Sequence, residues 1–245
     1  MPSANLLRVG NDVVDLTHVR TRDKSSDERF LARVFTDSER AGIGRAPDPD
    51  LDVWCRWAAK EAAFKVVSKL LGSPPTFAHT LFETEWVSES ESAEHTGVVS
   101  YGDRLISIQL EARPGSLVHS IAWSTHDEGG RPKLFTHVGS VDDRGMPWGA
   151  DTAELERRLT DRELTSVHSR ASAAVRVGAK SMLADVLTVD ENDIEIVCAP
   201  GAIGRRPPFV FLNGKPAGAD VSLTHDGSWI AWALWARTGE LNLPP

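Results

Sequence analysis

Only two cysteines, Cys55 and Cys198, occur in the 245 residues. Two thiols are too few for a disulfide framework or an all-cysteine zinc site. No apolar run approaches the length of a membrane-spanning helix. The first residues also lack the basic start and apolar core of a secretion signal. These absences predict a soluble, cytoplasmic protein that does not bind membranes and keeps its thiols reduced.

Positive charge is also scarce, since 27 Lys and Arg against 35 Asp and Glu give a net charge of −8. Nucleic-acid-binding domains are usually basic, so we expect no nucleic-acid partner. The sequence has no P-loop and no dinucleotide-binding glycine pattern, which makes ordinary ATP or NAD enzymes poor candidates. The length allows one large domain or two smaller ones of about 100 residues each.

A helix is predicted over residues 54–71, where alanines are frequent and no Gly or Pro intervenes before Gly72. One face of this helix carries Trp57, Glu61 and Lys65. Glu61 and Lys65 are compatible with an exposed pair one turn apart, which contributes little stability. Spacing alone favours this interpretation. The alternative is a metal-binding or proton-transferring carboxylate beside a phosphate-neutralising lysine, which needs a second anionic ligand from elsewhere in the chain.

An acidic residue interrupts the first predicted strand, which covers residues 6–16. Asp12 lies among apolar residues and shares a strand face with Gly10. A carboxylate there is costly unless it is paired or binds a metal. The other interpretation of Asp12 is a turn or helix-capping residue.

Strands are predicted at 81–87, 96–101, 105–110 and 117–123, and a linker at 139–149. Helices at 151–167 and 169–187 and strands at 194–198, 209–212, 221–223 and 229–235 follow. The order of a helix and then strands therefore occurs twice, which predicts an α+β fold. We expect an N-terminal lobe at residues 1–140 and a C-terminal lobe at residues 150–245.

The two halves also align weakly in sequence. Residues 56–61 (RWAAKE) match residues 176–181 (RVGAKS), so that Ser181 stands where the first half has Glu61. The segment Ser222-Leu223-Thr224-His225 has no good counterpart in the first half. We infer a duplicated unit with one composite site between the lobes; the alternative is a chance likeness in element order.

Three motifs together resemble the 4′-phosphopantetheinyl transferases. They are G-x-D at Gly10 and Asp12, W-x-x-K-E-A-x-x-K at 57–65, and S-x-T-H at 222–225. The resemblance implies two similar lobes related by a pseudo-two-fold axis, each with helices packed on a small antiparallel sheet. It also implies transfer of the phosphopantetheine arm of coenzyme A to a carrier-protein serine, with release of 3′,5′-ADP.

The resemblance assigns roles to individual residues. Asp12 and Glu61 would bind Mg²⁺, and Glu61 would also accept the proton of the incoming serine. Lys65 would lie against the pyrophosphate, and His225 against the nucleotide end of coenzyme A. The further candidate contacts for coenzyme A are polar or basic residues near these motifs: Ser222, Thr224, Arg206, Arg56 and Lys60. For Arg205, Arg206 and Lys215, a solvated loop is an equal alternative.

The expected partner is an apo acyl or peptidyl carrier protein, which is acidic. The arginines at 20, 22, 29 and 33 would dock it, or they form a solvated helix face. A single chain with two lobes predicts a functional monomer. His79 and the other histidines outside the motif at 222–225 are interpreted as structural. Two alternatives are a non-catalytic module that binds coenzyme A or a carrier protein, and another coenzyme A- or nucleotide-dependent transferase.

Overall fold

The computed structural model describes residues 7–76, 78–88, 94–124, 132–201 and 205–237. Its strands are β1 Val9–Asp15, β2 Glu83–Ser88, β3 Glu94–Tyr101, β4 Arg104–Arg113, β5 Leu117–Ser124, β6 Phe135–Ser140, β7 Ile194–Val197, β8 Phe209–Leu212, β9 Lys215–Pro216, β10 Ala219–Asp226 and β11 Trp229–Ala236. Its helices are α1 Glu28–Val34, α2 Asp37–Ile43, α3 Pro49–Leu71, α4 Thr152–Arg157, α5 Asp161–Leu164 and α6 Arg170–Leu187. Within these ranges, no helix combines the length and apolarity that crossing a membrane requires.

The strands form three antiparallel sheets. The largest has the order β1-β5-β4-β3-β2, and α3 packs on one of its faces. A second sheet has the order β10-β11-β6 and a third the order β7-β8-β9, and α6 packs against strands of both. The prediction of an α+β fold built on antiparallel sheets is therefore confirmed.

Local sequence signals explain the length and position of α3. The Asp48 side chain accepts a hydrogen bond from the Leu51 N–H and caps the helix, and Pro49 occupies its first turn. Gly72, at φ +72°, ends the helix in the left-handed region. At its centre the helix lies so close to β1 that a Cβ on Gly10 would stand 2.0 Å from the Ala62 carbonyl oxygen. This close approach brings β1 and the polar face of α3 together.

The second half differs from the prediction in two places. The expected helix at 151–167 is divided into α4 and α5, because Thr160 and Glu163 form a capping box that starts a new helix. The expected linker at 139–149 begins inside β6, which pairs with β11 of the second sheet. Since β6 joins the sheet of the C-terminal strands, its pairing favours a lobe boundary before Phe135.

Each half contains a buried lysine–glutamate pair on its long helix. Lys60 donates to Glu39 at 2.6 Å, and Lys180 donates to Glu163 at 2.9 Å. Both carboxylates belong to a capping box, and each accepts a strand N–H: that of Thr84 for Glu39, that of Ile196 for Glu163.

The arginines four residues before these lysines also correspond. Arg56 donates to the carbonyl of Thr84, and Arg176 donates to the carbonyl of Ile196. In both halves the arginine and the glutamate therefore bind the two backbone groups of one strand residue. These matching contacts favour the duplication and the two lobes, which stay a prediction.

Strand β10 lies along β1 and joins the two halves through side-chain hydrogen bonds. The N–H groups of Val9 and Asn11 donate to Asp220 (2.8 Å) and to Ser222 (3.0 Å), respectively. Further along, the Asp15 N–H donates to Asp226 at 3.0 Å. Lys69 of α3 completes the contact by donating to Asp220 at 2.8 Å, with both side chains almost fully buried. We call this contact the β1–β10 seam.

Breaking the buried Lys60–Glu39 pair should strongly lower the free energy of unfolding. We predict that Lys60→Met lowers the free energy of unfolding by about 3 to 5 kcal/mol, because Glu39 is left charged and buried. The exposed Lys215 provides the control, since Lys215→Met should stay within about 0.5 kcal/mol. Urea denaturation measures both. A loss below about 1 kcal/mol for Lys60→Met would show that the pair is not a framework element.

A second prediction concerns His119, which lies buried on the sheet face opposite α3. Burial lowers its pKa from 6.5 to about 3, and the Asn11 amide donates to its Nε2 at 3.4 Å. The folded protein keeps this imidazole neutral, whereas the unfolded chain binds a proton below about pH 6.5. His119 therefore contributes stability above that pH, and the contribution is lost as the pH falls towards about 3.

The loss from this one residue should reach about 2 kcal/mol near pH 5. We predict that His119→Gln flattens the fall in stability between about pH 7.5 and about pH 5 by an amount of this size. Urea denaturation at both pH values measures the difference. Equal slopes for the variant and the parent protein would contradict a neutral, buried His119.

Candidate active site

Lys65 and Asp12 form the centre of the site. The Lys65 ammonium donates to Asp12 Oδ1 at 3.0 Å and to the Asn11 carbonyl at 2.6 Å. Across the described residues, no ion pair joins Lys65 to Glu61, although the two are one turn apart. The interpretation of Glu61 and Lys65 as a simple surface pair is therefore wrong, because the lysine reaches across to β1. The structure likewise excludes Asp12 as a helix cap, since it lies within β1.

The environment of Asp12 disfavours its charged form. Burial, and to a smaller extent the nearby charge of Glu61, raise the pKa of Asp12, whereas Lys65 and Thr224 lower it; the net result is a rise from 3.8 to about 6. Two carboxyl groups thus share a partly buried place with one lysine. One lysine ammonium faces two carboxyl groups there, and a bound cation would supply a further positive charge.

His79 contacts the other carboxylate of the site. Its Nε2 lies 3.5 Å from Glu61 Oε1, and its ring lies on Trp57 with centroids 4.6 Å apart. The sequence-based interpretation of His79 as purely structural missed this contact. His79 follows α3 in a separate turn, His79–Leu81, and no spacing rule connects it to Glu61. The only usable signal was its position shortly after the helix of the second motif.

The C-terminal half contributes Thr224 and His225 from β10. The Thr224 hydroxyl donates to Asp12 Oδ1 at 3.1 Å, which joins the third motif directly to the first. His225 is half-buried, and burial lowers the pKa of its imidazole, with the charges of His168 and Lys65 acting in the same direction. Thr224 therefore contacts the Asp12–Lys65 pair, and the charge of Lys65 acts on His225; the composite site stays a prediction.

Other predicted contacts for coenzyme A have different positions. Lys60 is fully buried on Glu39, and Arg56 is occupied by Asp52 and the Thr84 carbonyl. These two basic side chains support the framework, which corrects the prediction that they bind coenzyme A. Their burial follows from the face of α3 on which they lie, and it removes them from solvent.

Ser222 and Arg206 are also not part of the cluster. The Ser222 hydroxyl is buried in the β1–β10 seam, where it accepts the Asn11 N–H, so it cannot serve as a free ligand group. Arg206 is exposed, and its backbone N–H donates to Ala199. In the described ranges, no hydrogen bond or ion pair connects the side chain of Arg206, or that of Lys215, to Asp12 or Glu61.

A magnesium ion fits the donor set of Asp12 and Glu61. Among the residues that the structure describes, no cluster of three His, Cys, Asp or Glu side chains is arranged for a metal. Magnesium, however, is commonly held by one or two carboxylates, with water and substrate phosphates completing its shell. Burial is the main cause of the raised pKa of Asp12, and a cation bound beside its carboxyl group would favour the ionised form.

A separate cavity lies elsewhere in the described part of the chain. It has a volume of about 500 Å³ and is lined by residues of β4, β5 and β6, among them Glu111, His119 and Thr136. These residues lie on the sheet face opposite α3, away from Asp12 and Glu61. Asp12, Lys65 and Thr224 of the three motifs meet instead between α3, β1 and β10.

Removing one charge from the carboxyl pair should stabilise the protein when no metal is bound. We predict that Glu61→Gln raises the free energy of unfolding in EDTA by about 0.5 to 1 kcal/mol, because it relieves repulsion with Asp12. Glu85→Gln, on an exposed part of β2, is the matched control and should have no effect. Urea denaturation measures both. A less stable Glu61→Gln protein would show that the two acids do not repel each other.

The first part of this site is similar in sequence to known proteins. The family model of the 4′-phosphopantetheinyl transferase superfamily matches residues 8–114, which include Asp12, Glu61 and Lys65. A holo-[acyl-carrier-protein] synthase of Rhodopseudomonas palustris (strain BisB5) is 35% identical over 68 residues, 28% of this chain and 49% of that protein. The enzyme of the same name from Leptospira biflexa is 38% identical over 63 residues, 26% of this chain and 50% of that protein.

The chain thus spans about half the length of the curated relatives it matches. A solved structure, the Thermotoga maritima holo-[acyl-carrier-protein] synthase, is 16% identical, with 63% of this chain and 76% of that chain covered. Its TM-score of 0.36 is below the range in which two chains share a fold. The family model matches the first half of the chain, and this match at residues 8–114 includes both acids and the lysine.

Proposed function

We propose that this protein is a phosphopantetheinyl transferase. It would transfer the 4′-phosphopantetheine arm of coenzyme A to a serine of an apo acyl or peptidyl carrier protein and release 3′,5′-ADP. The contact from Thr224 to Asp12, beside Lys65, is the observation that carries the proposal. It joins the acids of the family segment to the third motif, 212 residues away in sequence.

The reaction places two demands on the protein. The serine oxygen forms a bond to the phosphorus that carries the pantetheine arm, and the bond from that phosphorus to the leaving 3′,5′-ADP oxygen breaks. The serine must lose its proton, and the leaving group must be stabilised as it gains negative charge. General-base catalysis meets the first demand and fixed positive charge meets the second.

Glu61 and Lys65 are suited to these two roles. Glu61 lies on the polar face of α3 and is partly accessible, so it is the group proposed to accept the serine proton. Lys65 is partly exposed and already held by Asp12 and the Asn11 carbonyl, so its ammonium is fixed before substrate binds. Asp12 and Glu61 would hold Mg²⁺, which when bound neutralises charge on the pyrophosphate.

The C-terminal half would bind the nucleotide end of coenzyme A. His225 follows Thr224 on β10, faces the other side of the strand and lies near His168. The proposal assigns the nucleotide end of the ligand to this imidazole. A neutral imidazole can still donate one hydrogen bond to a phosphate oxygen. In this proposal the two ends of one coenzyme A molecule bind to different halves of the chain.

A carrier protein would approach the exposed arginines near α1. Arg29 and Arg33 lie on α1, and Arg20 and Arg22 lie in the segment before it, all exposed. An acidic carrier would gain association rate from this local positive charge despite the net charge of −8. Arg20 is already paired with Asp226, next to His225, so the arginines reach the edge of the site.

Intact mass spectrometry of apo-carrier proteins, incubated with this protein, coenzyme A and Mg²⁺, tests the proposal. We predict a gain of one phosphopantetheine arm on at least one carrier, and loss of the gain in EDTA. Glu61→Ala should lower the transfer rate by about 100-fold or more, since it removes the base and a metal ligand. Glu85→Ala should transfer at the parent rate.

Two results would contradict the proposal. Coenzyme A binding by calorimetry without transfer to any carrier would favour a non-catalytic binding module. Transfer of a different group from coenzyme A would favour another coenzyme A-dependent transferase on the same framework.

A further inference from the structure

The imidazole of His79 is held on its face by aromatic packing. The ring lies on Trp57 with centroids 4.6 Å apart and planes inclined by 31°. Trp57 in turn stacks on Phe30 of α1, with centroids 5.9 Å apart and planes inclined by 23°. Phe30, Trp57 and His79 thus form a continuous aromatic stack that ends next to Glu61.

The backbone of His79 is held as well. The buried ammonium of Lys60 donates to the His79 carbonyl at 3.1 Å, and it also donates to Glu39. The same carbonyl accepts the Phe82 N–H, which closes the turn. The framework pair of the first half therefore fixes the turn from which the imidazole extends.

Glu61, by contrast, receives no support from its expected partner. Lys65 is directed to Asp12, and the Glu61 carboxylate instead has His79 Nε2 at 3.5 Å from its Oε1. A glutamate side chain on an accessible helix face has several rotamers available, and a fixed imidazole beside one carboxylate oxygen selects among them.

We propose that His79 is a positioning residue that orients the Glu61 carboxylate. It acts through Glu61, and the inference therefore rests on the proposed function. Residues that orient a metal ligand commonly contribute about 10- to 100-fold to metal affinity or activity. The contribution of His79 should appear in the maximal rate and in metal affinity, while binding of coenzyme A through His225 and Lys65 is unchanged.

The test compares His79→Phe, which keeps the stacking and removes the N–H, with His79→Gln, which restores an N–H donor. Binding of Mn²⁺ in the presence of coenzyme A is measured from the loss of the free-ion electron paramagnetic resonance signal. We expect His79→Phe to weaken Mn²⁺ binding about 10-fold or more and to lower kcat by a similar factor, with KM for coenzyme A unchanged. His79→Gln should recover most of both.

His95 supplies the matched control, because it also packs on a tryptophan, Trp86, with centroids 5.8 Å apart. His95→Phe should leave Mn²⁺ binding and kcat at the parent values. If His79→Phe does not fold, the comparison is made between His79→Gln and the shorter His79→Asn, which is expected to lose the effect.

The outcomes separate this inference from the proposed function. Parent-like Mn²⁺ affinity and kcat in His79→Phe, with an active parent protein, would overturn the positioning role alone. Absence of transfer by the parent protein would overturn the proposed function. If His79→Gln recovers neither Mn²⁺ affinity nor kcat, the effect depends on the imidazole ring and not on its N–H. This result would also overturn the role of His79 in orienting Glu61.

Discussion

Strand β1 is shared by both halves of the molecule, and the site depends on this sharing. On one side α3 approaches so closely that only a glycine fits at Gly10. On the other side the side chains of β10 accept the N–H groups of Val9 and Asn11. Asp12 lies between these two contacts, so Lys65 of α3 and Thr224 of β10 can both reach it. A shift of either neighbour would take the third motif away from the first.

The long helix α3 carries two kinds of charged residue: buried ones that support the fold and accessible ones at the candidate site. Arg56 and Lys60 are buried and tie the helix to the start of β2 and to Glu39, as Arg176 and Lys180 do with β7 and Glu163 in the second half. Glu61 and Lys65 lie on the accessible face and have no such framework role. A buried ion pair tolerates little change, whereas the accessible positions are free to differ between the halves, as the replacement of Glu61 by Ser181 indicates.

The sequence predicted the α+β class, most of the strands and the long helix, because these follow from periodicity, alanine content and Gly72. Through motif resemblance it also predicted a site shared by Asp12, Thr224 and His225, of which the contact between Thr224 and Asp12 is observed. It did not predict the burial of Lys60, since a lysine in a charged motif is usually solvated. It also missed strand β6. It missed the contact of His79 with Glu61 as well, because contacts between distant side chains leave no periodic pattern. The depth at which a charge lies is a tertiary property that local spacing does not encode.

We propose that one coenzyme A molecule spans the β1–β10 seam. A crystal structure of the protein with coenzyme A and Mg²⁺ tests it most directly. We predict electron density for the pyrophosphate beside Asp12, Glu61 and Lys65, and for the nucleotide end beside His225. Coenzyme A bound instead in the cavity of about 500 Å³ beside His119 and Glu111 would contradict it.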